Sequence, residues 1–345
     1  MTETQSGVLA PCKQGNQNRD FSISALRLAA MMAIISCHIC QALNLSAAWW
    51  LNSGVQVFLV ISGYLYGRRD GIVGSAAWFV QRLHKIWIPF FITALAILIA
   101  DVSFGVATVD FMDIALGLSG FRSGRIPNGT HLWYVAVALS CYLITPLLFV
   151  LRKRFGIVSL IVPLAILGVA GGEIVSSGFW SVEYVAGFTL GSLVREHPDR
   201  ERSMMGVGAL LGAACMLTLI ILCTKGLVDF RVDGTGYIIA HLVLGIMLFC
   251  SIRWLLYDVR FSPDLRVQKL LDFGDAYSYE IYLTHQVLIL GSFSLFAVPS
   301  LSVPLAMSLC LIWSIVSGIL LKKFCFFIDK GLQAILDKLV GELSP

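Results

Sequence analysis

Two ionisable residues, Arg27 and His38, lie within the first long apolar stretch of the chain, from Phe21 to Leu43. Such groups are costly to bury in a membrane, so inside a span they more often belong to a functional site than to packing. Their spacing of eleven positions brings both side chains to one face of a helix, about 16 Å apart along its axis. The pair therefore predicts chemistry that uses a cation near one membrane surface and an imidazole deeper inside.

Two further cations, Arg82 and Lys85, come shortly before Pro89 at the start of a later apolar stretch. They are three positions apart and share a helical face, and such a pair can hold phosphates through charge-assisted hydrogen bonds. The alternative is an anchor to lipid headgroups, which basic residues often form at the inner surface. Taken by themselves, Arg82 and Lys85 favour this alternative.

A late apolar stretch, 276–297, carries a polar face formed by Ser278, Tyr282 and His285. Their i, i+4, i+7 spacing places them on one side of a helix. Such a face either lines a cavity or is satisfied by neighbouring helices, and the sequence does not separate the two.

Two other patterns have ordinary explanations. Trp133 and Tyr134 open an apolar stretch, which is typical of the aromatic belt at a membrane surface. Cys37 and Cys40 flank His38 as C-x-x-C, but no second pair completes a tetrahedral metal site. We expect no metal and no bound cofactor.

The elements that position these residues follow from composition. Of 345 residues, 57% are hydrophobic and 13% charged, whereas about a quarter of a soluble domain is charged. This excludes a soluble globular protein and predicts an all-α, polytopic membrane bundle. About ten runs are long enough to span a bilayer. They lie at 21–43, 49–67, 86–106, 131–151, 156–175, 178–194, 204–223, 236–257, 276–297 and 300–321.

The basic residues predict the topology. Short cytoplasmic loops are enriched in Lys and Arg, and most of the 25 such residues fall in alternate connections. Both termini are then cytoplasmic, as a tail over 1–20 and a tail over 322–345, with one membrane domain over 21–321. Arg27 lies near the inner surface and His38 toward the outer half. This distribution also explains the net charge of +4, so we expect no nucleic-acid partner.

Five motifs in order give the chain a recognisable pattern. They are R-x10-H at Arg27 and His38, S-G-F/Y within Phe58 to Tyr64, a basic segment before a proline at Arg82 to Pro89, H/L-x-W-F/Y at His131 to Tyr134, and S-Y-x-x-Y-L-x-H at Ser278 to His285. In these motifs the chain resembles the integral membrane acyltransferase-3 family, from about Ser24 to about Leu321. That family O-acylates cell-surface glycans and lipids. Two positions depart from its pattern: Lys85 replaces the usual arginine and loses the bidentate fork, and Gln56 stands where relatives are often acidic.

The resemblance implies a donor and a mechanism. An acyl-coenzyme A, preferably acetyl-coenzyme A, would enter from the cytoplasm, and Arg27, Arg82 and Lys85 would hold its phosphates. His38 would act as a general base on an acceptor hydroxyl, or would form an acyl-histidine intermediate. The sequence does not separate these routes.

The resemblance also implies an acceptor. We expect a hydroxyl of a cell-surface or lipid-linked glycan at the outer side of a bacterial inner membrane. Ser278, Tyr282 and His285 would orient the donor arm. Trp133 and Tyr134 would lie on the acceptor side, where Trp133 could stack on a sugar. The oligomeric state is left open.

Two other classes of protein are alternatives to an enzyme. A glycan exporter or flippase of related fold would need alternating access and often has internal repeats, and the sequence contains no such repeat. A structural subunit without turnover would leave Arg27 and His38 unexplained.

Overall fold

The computed structural model describes residues 20–71, 75–106, 111–119, 126–166, 181–229, 235–257 and 264–343. Within these ranges the regular elements are all helical, which confirms the all-α fold class. The α-helices are α1 Phe21–Ala42, α2 Ala47–Leu51, α3 Ser53–Gly67, α4 Ser75–Ser103, α5 Phe111–Leu118, α6 Trp133–Phe155, α7 Val182–Glu196, α8 Glu201–Thr224, α9 Thr235–Leu255, α10 Leu265–Thr284 and α11 Val303–Leu343.

Six described helices are long and apolar enough to cross a membrane. They correspond to α1, α4, α6, α8, α9 and α11. Helices α3 and α7 have 15 residues each, fewer than the about 20 that a span needs. The fifth predicted span, 156–175, lies partly outside the described residues. Its described part contains a short apolar helical segment, Ile157–Ile166. Ten spans therefore stay a prediction.

The helix at the ninth predicted span, 276–297, has different bounds from that prediction. Helix α10 begins at Leu265 and ends at Thr284, and a 3-10 turn follows at His285–Leu288. The predicted span begins too late because the first turns of α10 are polar. The predicted span ends too late because the residues after the 3-10 turn are apolar, although they are no longer helical and Gly291 has φ +82°.

Helix α11 continues past the boundary predicted at Leu321. It runs for 41 residues, which is about 62 Å and twice the thickness of a bilayer core. The described part of the predicted tail is therefore a continuation of α11. The turns of α11 that directly follow Leu321 reach the site described below.

Helices α3 and α7 cross through glycines that touch the opposite backbone. A Cβ at Gly63 of α3 would lie 2.0 Å from the carbonyl oxygen of Tyr184, and one at Gly187 of α7 would lie 2.3 Å from that of Val60. Small residues allow such close approach in membrane bundles. Buried Arg152 of α6 links the same two helices by hydrogen bonds. It donates to the Gly67 carbonyl of α3 and, at 3.0 Å, to the Ser192 hydroxyl of α7.

A buried ionic cluster fixes the start of α1. Arg253 of α9 donates to Glu201 Oε1 at 2.7 Å and also to Asp20. Glu201 accepts a further hydrogen bond, at 2.5 Å, from Tyr64 of α3. The charges of Arg253 and Glu201 are thus paired and hydrogen-bonded, as burial requires, and three helices hold the first residues of α1.

Candidate functional site

Helices α1 and α10 lie side by side and run in the same direction. Near their starts, Arg27 Nη1 lies 3.3 Å from Asp275 Oδ1. About three turns further on, the rings of His38 and His285 lie 5.0 Å apart between centroids. The predicted shared face of Arg27 and His38 is thus the face of α1 that meets α10, and the polar face of α10 meets it.

The three cations predicted to bind a donor line one cavity. It has a volume of about 540 Å³, and Arg27, Arg82 and Lys85 are in its wall together with Tyr134 and Ser278. The elements that bring them together are α1, α4, α6 and α10. Helical spacing placed only Arg82 and Lys85 near each other, whereas the family resemblance implied a shared site with Arg27, which lies on a separate helix.

The cations in this cavity have different surroundings. Asp275 accepts a hydrogen bond from Ser24 at 2.6 Å in addition to its ion pair with Arg27. The Arg82 guanidinium lies 5.8 Å from the centre of the Tyr66 ring, whereas Lys85 is exposed. Arg27 is therefore held in place by its neighbours, and Lys85 is the most open of the three.

Sequence reasoning missed Lys322, which also lines the cavity. Its Nζ lies 3.6 Å from Glu280 Oε1 and donates to the Ala276 carbonyl. The residue follows Leu321 directly, where the sequence predicts the start of a cytoplasmic tail. The signal that could have found it is the helical pattern that continues without a break through this boundary.

A smaller space adjoins the cavity. It has a volume of about 100 Å³ and shares three wall residues with the cavity, namely Tyr134, Ser278 and Tyr279. The rest of its wall is Ile34, Val55, Phe58 and Tyr282. We call this space the chamber. Its wall residue Ile34 lies one turn before His38 on α1, so the chamber is at a height between Arg27 and His38.

Beyond the chamber three imidazoles form a row. The His285 ring lies 5.0 Å from that of His38 and 5.3 Å from that of His131. His131 is buried and belongs to the 3-10 turn Thr130–Leu132. His131 begins the H/L-x-W-F/Y motif, but no spacing in the sequence links it to His38 or His285. In the described part of the chain, no group of three His, Cys, Asp or Glu side chains is arranged to hold a metal ion.

Hydrogen bonds fix the proton on each ring. His285 Nδ1 donates to the Tyr282 carbonyl at 2.6 Å and His131 Nε2 donates to the Leu283 carbonyl at 2.9 Å. His38 Nδ1 donates to Gln41 Oε1 at 2.7 Å. Because these oxygens accept, the other nitrogen of each neutral ring carries a lone pair. In His285 and His131 that nitrogen is buried and has no hydrogen-bond partner among the described residues.

The row of imidazoles surrounds the C-terminal end of α10. The last carbonyls of a helix lack intrahelical partners, and unpaired carbonyls are expensive inside a membrane. Here His285 and His131 bond the carbonyls of Tyr282 and Leu283, and Trp313 Nε1 of α11 donates to that of Thr284 at 3.0 Å. The same hydrogen bonds hold the neutral rings of His285 and His131 in fixed tautomers at the end of α10.

The remaining predicted residues take different positions. Tyr282 is buried, its ring lies 5.6 Å from that of His285, and its hydroxyl donates to the His131 carbonyl. Tyr134, predicted on the acceptor side, lines both the cavity and the chamber. Trp133 is 39% exposed and lines neither of them.

Comparison with known proteins adds one match. The family model of an acyltransferase domain, acyltransferase-3, matches residues 20–323. No curated protein and no solved structure matches the chain. The matched region includes Arg27, the row of imidazoles and Lys322, and it covers most of the 345 residues. The chain therefore belongs to the acyltransferase-3 family, and it is a multi-pass membrane acyltransferase.

Proposed function

We propose that the protein is a membrane O-acyltransferase. It moves an acyl group, preferably acetyl, from cytosolic acyl-coenzyme A to a hydroxyl of a cell-surface or lipid-linked glycan at the outer side of a bacterial inner membrane. One observation carries the proposal: a cavity lined by three cations adjoins a small chamber, and the chamber wall residue Tyr282 lies 5.6 Å, between ring centres, from His285, the ring partner of His38.

The cavity is suited to the nucleotide end of the donor. Arg27, Arg82 and Lys85 hold its phosphates through charge-assisted hydrogen bonds. The acyl end lies at the other end of a long flexible arm, which extends through the chamber along the face of α1. Arg27 and His38 are about 16 Å apart along the helix axis, a distance that an extended arm covers.

His38 supplies the base. Its Nε2 lone pair takes the proton of the acceptor hydroxyl while the hydroxyl oxygen attacks the thioester carbonyl carbon. The C–S bond breaks, the acyl ester forms, and the leaving thiolate takes the proton back from the imidazolium. An acyl-histidine intermediate on the same nitrogen is the alternative route.

The test measures acyl transfer from radiolabelled acetyl-coenzyme A in membranes that contain the wild type, His38→Ala or Arg27→Ala. Two variants serve as matched controls. His241→Ala removes a buried histidine of α9, which packs between Trp49 and Tyr237 and does not line the cavity or the chamber. Arg154→Ala removes an exposed arginine at the end of α6.

We expect labelling by the controls to stay near that of the wild type. Labelling by His38→Ala should fall at least about a hundredfold, because general base catalysis contributes about 10²- to 10⁴-fold. Equal labelling by the wild type and all the variants would refute the proposed acyltransferase activity. Glycan transport that needs no acyl donor would support the exporter instead.

A further inference from the structure

The chamber has a restricted size and an apolar wall. Its volume of about 100 Å³ is lined by Ile34 of α1, Val55 and Phe58 of α3, and three tyrosines from α6 and α10, with Ser278 as the remaining wall residue. This volume is less than a fifth of the about 540 Å³ of the adjoining cavity, so the chamber suits a small apolar group and not the nucleotide end of the donor.

The walls of the chamber are fixed by contacts outside it. The Tyr279 hydroxyl donates to the Ile86 carbonyl at 2.8 Å, and the Tyr282 hydroxyl donates to the His131 carbonyl. Phe58 packs against all three hydrophobic clusters of the bundle, and Val55 is 5% exposed. Because packed interiors deform little, a space with such walls excludes larger groups.

The position of the chamber identifies its occupant within the proposed function, on which this step rests. The chamber follows the cationic cavity and precedes the paired imidazoles, so the part of the donor that reaches it is the thioester end. We propose that the chamber is the acyl-binding site and that Ile34, Val55 and Phe58 restrict the donor to short acyl chains.

The expected selectivity is substantial. One methylene more or less in an apolar pocket changes specificity by about 10- to 200-fold. We therefore expect the wild type to use acetyl-coenzyme A at least about ten times more efficiently than butyryl-coenzyme A, which has two further methylenes.

Two valines on α3 provide a matched test. Val55 and Val57 are 5% and 4% exposed, but Val55 lines the chamber, whereas Val57 lines a separate groove formed with Leu26 of α1 and Leu244 of α9. Val55→Ala and Val57→Ala remove the same atoms from equally buried positions of one helix. Transfer from acetyl-, propionyl- and butyryl-coenzyme A, each labelled in the acyl group, is measured in membranes.

We expect Val55→Ala to raise the ratio of butyryl to acetyl transfer by about tenfold and Val57→Ala to leave it unchanged. Ile34→Val is a milder second variant, because this substitution typically costs only about 0.5 to 1.5 kcal/mol of stability. It should raise the ratio of propionyl to acetyl transfer.

An unchanged chain-length profile in Val55→Ala and Ile34→Val, with acetyl transfer intact, would overturn the chamber's role alone. Failure of the wild type to use any of the three donors would instead overturn the proposed function.

Discussion

Two helix pairs in this bundle meet in opposite ways. Helices α3 and α7 cross through glycines in contact with backbone, as at Gly63, and leave no space between them. Helices α1 and α10 meet through charged and titratable side chains, Arg27 with Asp275 and His38 with His285. The first contact is suited to stability, since close backbone approach is a main source of helix association in lipid. The second leaves His285 Nε2 buried without a hydrogen-bond partner among the described residues, and its charged residues Arg27 and Asp275 line the cavity.

The largest expected effect concerns the second pair. His285→Ala should lower acyl transfer, measured per amount of folded protein in the membrane, about a hundredfold. The reason is the loss of the buried Nε2 lone pair beside His38.

The variant His285→Asn distinguishes the role of the Nε2 lone pair from the role of the hydrogen bond that Nδ1 donates. The Asn amide nitrogen can still donate to the Tyr282 carbonyl in place of His285 Nδ1, but nothing replaces Nε2. This variant should therefore be as inactive as His285→Ala. Activity within about threefold of wild type would mean that His285 only closes the end of α10.

The next effect tests the first pair. Gly63→Ala should destabilise the protein by about 1–3 kcal/mol, because the new methyl meets a backbone oxygen that cannot move aside. The matched control is Gly274→Ala on α10, where the nearest atom, at 3.2 Å, belongs to the flexible Leu28 side chain. Thermal unfolding in detergent should show a clear loss for Gly63→Ala and a small change for Gly274→Ala. Equal losses would remove the contrast between the two pairs.

The smallest effect concerns the end of α10. Trp313→Phe removes the N–H that bonds the Thr284 carbonyl and keeps most of the ring, so stability should fall by only about 1 kcal/mol. Acyl transfer should fall by about five- to tenfold, since His285 is held less firmly; this range is an expectation from the effects of small misplacements on catalysis. The control Trp254→Phe alters another exposed membrane tryptophan, on α9. A drop in activity shared by both variants would exclude a specific role for the Thr284 contact.

Helical periodicity was enough to predict part of the site. Arg27 and His38 share a face because both lie within α1, where spacing alone fixes direction. The polar face of α10 was found for the same reason, although the bounds of that helix were wrong because its polar first turns resemble a loop.

Other parts of the site depend on contacts between residues distant in sequence. His131 lies in a 3-10 turn, and its importance comes from bonding Leu283, 152 positions later. Lys322 reaches the cavity only because α11 continues beyond the apolar run. The approach of Arg82 and Lys85 to Arg27, and the size of the chamber, depend on the packing of separate helices, which periodicity in one stretch does not encode.

The central claim is that the donor enters on the cytoplasmic side and is used at His38. Its most direct test offers membrane-impermeant, radiolabelled acetyl-coenzyme A to sealed vesicles of two orientations, inverted and right-side-out, which carry the wild type or His38→Ala. We predict labelled glycan in inverted wild-type vesicles, where the donor meets the cytoplasmic face, and background labelling in the other three samples. Equal labelling of right-side-out vesicles, or wild-type labelling by His38→Ala, would contradict the claim.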